Sequence, residues 1–185
     1  KGKIYPINPK ETEILGVKCY AELKDVPGEI DSAVMCVPAK AMVQMTEECG
    51  KKGVKGLIVI TSGFSEIGRK DLEDEIVNIA KRYGMRILGP NIVGSLSNSD
   101  KFNGSFCPSL PLPGKASLVS QSGALLIALA MATWTRKVGF DKLISIGNMA
   151  DVDFADLIEW FNDDDDTSCV SLYIEGLKNG RRFID

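Results

Sequence analysis

Ser120-Gln121-Ser122-Gly123 separates one apolar run, Ala116–Val119, from another that begins at Ala124. A strand turning this abruptly into a helix aims the N–H groups of the first helical turn, with one or two hydroxyls, at a point beyond the strand. Such a point favours an anion through unpaired donors and the positive end of the helix dipole. The dipole supplies only about 0.3–1 kcal/mol at an exposed terminus, so converging hydrogen bonds must do most of the binding. A serine hydrolase elbow, G-x-S-x-G, would need glycine where Ser120 stands. The chain contains no histidine, which excludes a Ser-His-Asp or Cys-His machine built within it. The expectation for Ser122, Gly123 and Ala124 is a phosphate-receiving turn.

Glu175 offers a second chemical group, a carboxylate ending the apolar run Val170–Ile174 and followed by Gly176, a placement expected to face a pocket. The run Asp163–Asp166 is read as a solvated helix end, because consecutive aspartates diverge and D-x-D-x-D-G spacing is absent. Five cysteines without a C-x-x-C pair give no zinc spacing and read as reduced thiols of a cytoplasmic protein, with Cys36 and Cys169 as small core residues. No metal site is expected.

Composition narrows the classes further. The chain has 185 residues, 44% hydrophobic and 25% charged, ordinary for a globular protein. The first 110 residues carry 15 Lys+Arg against 14 Asp+Glu, and the remainder 7 against 11. Neither part has the basic surplus of a nucleic-acid binder, and no apolar run approaches the roughly 20 residues of a membrane span. The chain opens on KGKIYPINPK without an initiator Met, and residues are expected upstream.

The elements that must position these groups alternate along the chain. Strands are expected at Ile4–Ile7, Ala33–Val37, Leu57–Ile60, Arg86–Leu88, Ala116–Val119, Leu143–Ile146 and Val170–Ile174, short and apolar on both faces as parallel strands are. Helices are expected at Ala39–Lys52, Asp71–Tyr83, Gly123–Lys137, Asp153–Phe161 and from Arg181 to Asp185. The third is apolar nearly all round and is expected to be buried, and Asp151 or Asp153 should cap the fourth. This alternation gives an α/β fold with parallel sheets. Three prolines, two glycines and no periodicity over residues 98–114 mark a boundary. The result is two doubly wound units, residues 1–110 and 111–185, both incomplete, the second with three strands.

Ligands of open α/β sheets gather beyond the carboxyl ends of the strands. Here those ends are Asn8-Pro9-Lys10, Val37-Pro38-Ala39, Thr61-Ser62-Gly63, Gly89-Pro90-Asn91, Ser120–Gly123, Gly147-Asn148 and Glu175-Gly176. Small, hydroxylic and glycine residues let a ligand approach the main chain, and so many together favour a phosphorylated ligand.

IVITSGFSE (58–66), ILGPNIVGSLS (87–97), GKASLVSQSGAL (114–125), ISIGN (144–148) and YIEG (173–176) follow in this order. As an ordered set spanning essentially the whole chain, they resemble the α part of the NDP-forming acyl-CoA synthetases, the group of succinyl-CoA synthetase and the ADP-forming acetyl-CoA synthetases. GPN and YIEG lie closer to the acetyl-CoA type. The resemblance implies a Rossmann-like CoA-binding domain, truncated at its N-terminus, followed by a partial flavodoxin-like domain. It implies the reaction acyl-CoA + ADP + phosphate ⇌ acid + coenzyme A + ATP. An acyl phosphate forms, and its phosphoryl group passes to a histidine and then to ADP on an ATP-grasp β subunit or fused domain, where Mg2+ accompanies the nucleotide. An oligomer acting on a small-molecule acid, without nucleic acid or membrane, is the implied setting.

The same resemblance implies coenzyme A contacts at Lys10, Val37, Pro38, Thr61, Ser62, Gly63, Pro90 and Asn91. It implies phosphate binding at Ser122, Gly123 and Ala124, and a carboxylate at Glu175 that orients the phosphorylatable histidine. This sequence departs from the family in lacking the glycine-rich turn after the first strand and that histidine, and in having Ile92 where many relatives have Cys. The segment alone is expected to be inactive. Two other readings remain open: a non-catalytic CoA- or nucleotide-sensing module, as in a protein acyltransferase, and, less favoured without G-x-G-x-x-G, an NAD-dependent dehydrogenase.

Overall fold

The computed structural model describes residues 2–184, so Asp185, expected in the last helix, lies outside the described residues. In the first unit, β1 (Glu13–Ile14) and β2 (Val17–Lys18) form a small antiparallel hairpin. A parallel sheet follows, built from β3 (Ser32–Met35), β4 (Gly56–Val59) and β5 (Arg86–Leu88) in that spatial order. The crossovers are α1 (Met42–Lys52) and α2 (Lys70–Arg82). Met42, Leu72, Ile76 and Ala80, spaced on one side of their helices, bury against Leu57, Val59 and Ile87 of the sheet.

The second unit has a five-stranded sheet in the order β10-β8-β9-β6-β7. Its strands are β6 (Gly94–Ser97), β7 (Phe102–Ser105), β8 (Pro113–Ser120), β9 (Phe140–Ser145) and β10 (Cys169–Tyr173). β10, β8 and β9 run parallel, whereas β6 and β7 run antiparallel at one edge. Helix α3 (Gly123–Arg136) packs on a core with Leu96, Leu118 and Leu143. Helix α4 (Phe154–Phe161) packs on Val119, Ile144 and Ile146. α5 (Gly180–Ile184) ends the described chain. No described helix is long and apolar enough to cross a membrane.

Several expectations need correction. Ile4–Ile7 forms no strand, only a single bridge from Ile7 to Tyr20, because no neighbouring strand among the described residues offers it a ladder. The second sheet has five strands rather than three, since β7 lies in the stretch read as boundary and β6, just before it, has no element expected. Their signal was weak. β6 carries one large apolar residue, Leu96, and β7, Phe-Asn-Gly-Ser, is a half-exposed edge. The turn between them, rich in Asn, Ser and Asp, was the available clue. Helix α3 is not buried all round, for Leu129, Met131 and Trp134 are exposed. Cys36 and Cys169 are exposed, while Cys19, Cys49 and Cys107 are buried. Asp153 does cap α4, in a reciprocal box with Asp156.

The aspartate run is not wholly solvated. Asp164 turns inward to the ammonium of Lys142, which is also bonded to Asp141. Side-chain exposures of Lys142, Asp141 and Asp164 are 6%, 4% and 10%. The consecutive Asp141-Lys142 pair in β9 makes a buried partner for that loop, a tertiary pairing no spacing rule announces.

Candidate functional site

A cleft of about 760 Å3 lies between the two units, within the size range of small-molecule sites. Each wall is a strand end. The β3 end contributes Cys36 to Ala39, the β4 end Ile60 to Ser62, and the turn after β5 Asn91 to Val93. Phe106 follows β7, and Gln121, Gly123 and Ala124 lie at the junction of β8 and α3. Local sequence explains the convergence. Parallel strands place their carboxyl ends on one side, and short loops leave them there. The tips are then tied together: Thr61 Oγ1 donates to the Val37 carbonyl at 2.7 Å, and Asn91 N–H donates to the Thr61 carbonyl at 3.0 Å.

Of the residues read from sequence, Val37, Pro38, Thr61, Ser62, Asn91, Gly123 and Ala124 line this one cleft. Ser122 sits one residue behind, as the N-cap of α3, its hydroxyl accepting from Leu125 N–H at 3.3 Å. Gly63 lies beyond Ser62 with its N–H held by the Glu66 carboxylate. Pro90 is buried beneath the lining and follows a cis peptide bond. Lys10 lies apart, exposed in a turn where its N–H meets Asn8 Oδ1 at 2.9 Å. Glu175 is exposed, and its main chain is anchored next to the cleft by Gln121: Oε1 accepts Glu175 N–H at 2.6 Å and Gly176 N–H at 3.0 Å.

No lining residue carries a formal charge. Attraction for an anion must therefore come from the main chain. The N–H groups of Gly123 and Ala124 find no acceptor among the described residues, because Ser122 Oγ serves Leu125 and the Ser122 carbonyl serves Leu126. Two unpaired amides at a helix N-terminus suit a phosphate oxygen. A side chain at position 123 would clash with the facing wall, since an added Cβ would lie 2.6 Å from Val93 Cγ1. Small tips, an uncharged wall and two free donors suit a ligand that presents an anionic group to the helix terminus.

Gln121, Asn148, Phe106 and Cys36 are among the lining or near-lining residues to which the sequence assigns no ligand role. Gln121 lay in the same polar turn but had no role there. Asn148 reads from sequence as a strand end only. Phe106 sits in the stretch read as boundary. Cys36 reads as core, although it stands exposed at the tip of β3, where partial burial of its thiol raises its pKa.

Comparison with known proteins adds the following. Residues 1–96 match a CoA binding domain, and residues 113–185 match the succinyl-CoA ligase like flavodoxin domain. The acetate–CoA ligase (ADP-forming) of Methanocaldococcus jannaschii is 51% identical over 99% of this chain and 26% of its own length. The α subunit of acetate–CoA ligase (ADP-forming) II of Pyrococcus furiosus is 48% identical over 100% of this chain and 40% of its own. A solved structure of the dinucleotide-forming acetyl-coenzyme A synthetase 1 of Ca. Korarchaeum cryptofilum, in complex with phosphate and ADP, superposes with a TM-score of 0.97. It has 46% identity, covering 100% of this chain and 40% of that one. The chain thus spans about a quarter to two fifths of the length of these relatives.

Proposed function

The chain belongs to the CoA-binding α-region family of the NDP-forming acyl-CoA synthetases, and from that membership we propose that its cleft holds a CoA thioester beside inorganic phosphate. Residues 1–110 form the carrier-binding unit, apart from β6 and β7, which extend the sheet of the phosphate-receiving unit, residues 111–185. The carrier runs along the tips at 37–38 and 61–63, with its thiol end at Pro90 and Asn91, and Lys10 reaches its distal part. Phosphate sits on the amides of Gly123 and Ala124 with Ser122 behind them. There phosphate attacks the thioester carbonyl, the C–S bond breaks, and an acyl phosphate and free thiol result. Proximity of the two reactants is the main service of this chain.

Glu175, held beside Gln121, orients a phosphorylatable histidine from another segment. That histidine passes the phosphoryl group to ADP, with Mg2+, on an ATP-grasp partner or fused domain. The acid is acetate, after the relatives' names. Five free cysteines support a reducing, cytoplasmic setting, and an oligomer is the working assembly.

The observation that carries the reading is the meeting of four strand ends and two unpaired amides in one uncharged cleft. Cys36 reports on it directly. Coenzyme A at about ten times its dissociation constant should slow alkylation of Cys36 about tenfold and leave exposed Cys169 unchanged. Equal Cys36 rates with and without saturating coenzyme A would refute the proposal.

A further inference from the structure

Asn148 closes the ISIGN segment beyond the end of β9, and its carboxamide bonds only to residues of the first unit. Nδ2 donates to Glu66 Oε2 at 2.7 Å and to Glu73 Oε2 at 2.9 Å, while Oδ1 accepts from Asn91 Nδ2 at 3.3 Å. Ionised carboxylates only accept, so the amide nitrogen must face them. Both carboxylates also hold the main chain that follows Ser62. Glu66 accepts the N–H groups of Gly63 and Phe64. Glu73, 2% exposed, accepts the Ser65 hydroxyl at 2.7 Å and the Ser65 N–H at 3.4 Å. Burial raises the Glu66 carboxyl, but the Gly63 N–H and the Asn148 amide outweigh it and hold the pKa below the ordinary value.

The backbone adds a second tie. Asn148 N–H donates to the Pro90 carbonyl at 3.0 Å. Gly147, with φ +48°, makes that approach possible, since an added Cβ would lie 2.4 Å from the carbonyl oxygens of Pro90 and Asn91. One residue therefore references two cleft walls, 61–65 and 89–93, to strand β9. β9 in turn lies beside β8, which leads into the amides of Gly123 and Ala124.

We propose that Asn148 is a positioning residue that fixes the spacing between the carrier-side turns and the anion-side helix terminus. The proposal rests on the functional reading above. A reaction between two bound partners needs them in register, and about 1 Å of misplacement costs turnover by about a hundredfold. Binding either partner alone needs no such register. Loss of the tie lowers kcat and spares carrier affinity.

The test compares full-length wild type, Asn148→Ala, Asn148→Asp and the double variant Asn148→Asp with Glu73→Gln, in which amide and carboxylate change places. Turnover is assayed with acetyl-CoA, ADP and phosphate, and coenzyme A affinity by calorimetry. Asn148→Ala should lose about tenfold to a hundredfold in kcat, on the scale of such misplacement, with its coenzyme A Kd within about threefold of wild type. Asn148→Asp should lose more, by placing a third carboxylate beside two, and the exchange should recover turnover above the Asn148→Asp level. Asn148→Ala with wild-type kcat, a Kd rising in step with the fall in kcat, or an exchange no better than Asn148→Asp would each overturn the proposal. Wild type that binds no coenzyme A fails the functional reading and the proposal with it, whereas a binding wild type with any of those results fails the positioning role alone. Should Asn148→Ala not fold, the Asn148→Asp and exchange pair decides the matter.

Discussion

Replacing Lys142 with Met should reverse the sign of the protein's pH dependence of stability below neutrality. In the wild type, burial raises the Asp164 carboxyl, but the Lys142 ammonium and the Thr167 hydroxyl outweigh it, and its pKa lies below the ordinary value. A depressed carboxylate stabilises the fold above its unfolded value and loses that contribution as pH falls through the folded one, so wild-type stability should drop only below about pH 4. Burial lowers Lys142, but hydrogen bonds to Asp141 and Asp164 outweigh it and raise the pKa. Its contribution is therefore present across the neutral range and fades only as pH rises beyond the lysine range.

With methionine at 142, Asp141, Asp164 and Asp166 keep carboxylate oxygens within 4.8 Å of one another, and the ammonium that stood between Asp141 and Asp164 is gone. At an effective dielectric of about 20, two charges at that separation repel by about 3.5 kcal/mol, which favours the protonated form of one carboxyl. Ionising both carboxyls is then costly, so the variant's stability falls as pH rises above the ordinary carboxylate range. Removing one partner of a buried ion pair costs about 3–5 kcal/mol. The variant should accordingly melt roughly 10 °C below wild type at pH 8 and recover part of that loss on acidification to pH 5. Thermal and urea denaturation at half-unit pH steps provide the assay. A variant within about 1 kcal/mol of wild type throughout, or one with the same pH profile, would refute the reasoning.

Ser122→Ala leaves Leu125 N–H without its cap and should cost about 1 kcal/mol of stability, read as a fall in Tm of about 2–4 °C. It should also weaken the rise in Tm on adding phosphate, and an unchanged phosphate response would remove the hydroxyl from that site. Phe64→Ala empties a fully buried ring site beside the 61–65 wall and should cost about 3–5 kcal/mol by urea denaturation. Native thiol titration should find Cys36 and Cys169 reactive and Cys19, Cys49 and Cys107 silent, Cys49 most of all because burial raises its pKa to about 11. Prompt native modification of Cys49 would contradict the packing of α1. In the full-length protein, Glu175→Gln should reduce turnover more than coenzyme A affinity, and unchanged turnover would remove Glu175 from the mechanism.

The sequence alone determined the alternation of elements and the chemistry at their ends. Apolar runs such as Leu57–Ile60 and Arg86–Leu88 are short because parallel strands are, and the helices between them carry their apolar residues at helical spacing. Those are local signals, readable from one to four residues of separation. The polar turn at Ser120–Gly123 and the Asp153 cap are local in the same sense. Tertiary structure alone decided what met across the chain. β6 and β7 lack strand signals of their own and are strands only because β9 offers Leu96 and its neighbours a ladder. Lys142 drew Asp164 out of a run that reads as solvated, because a buried ammonium cannot stand unpaired. Exposure of Cys36 followed from its place at the very tip of β3, and Asn148 found Glu66 and Glu73, 82 and 75 residues away, only when two sheets closed on one cleft. Periodicity records the free energy of burying a face, whereas a hydrogen bond between distant polar groups leaves no period to read.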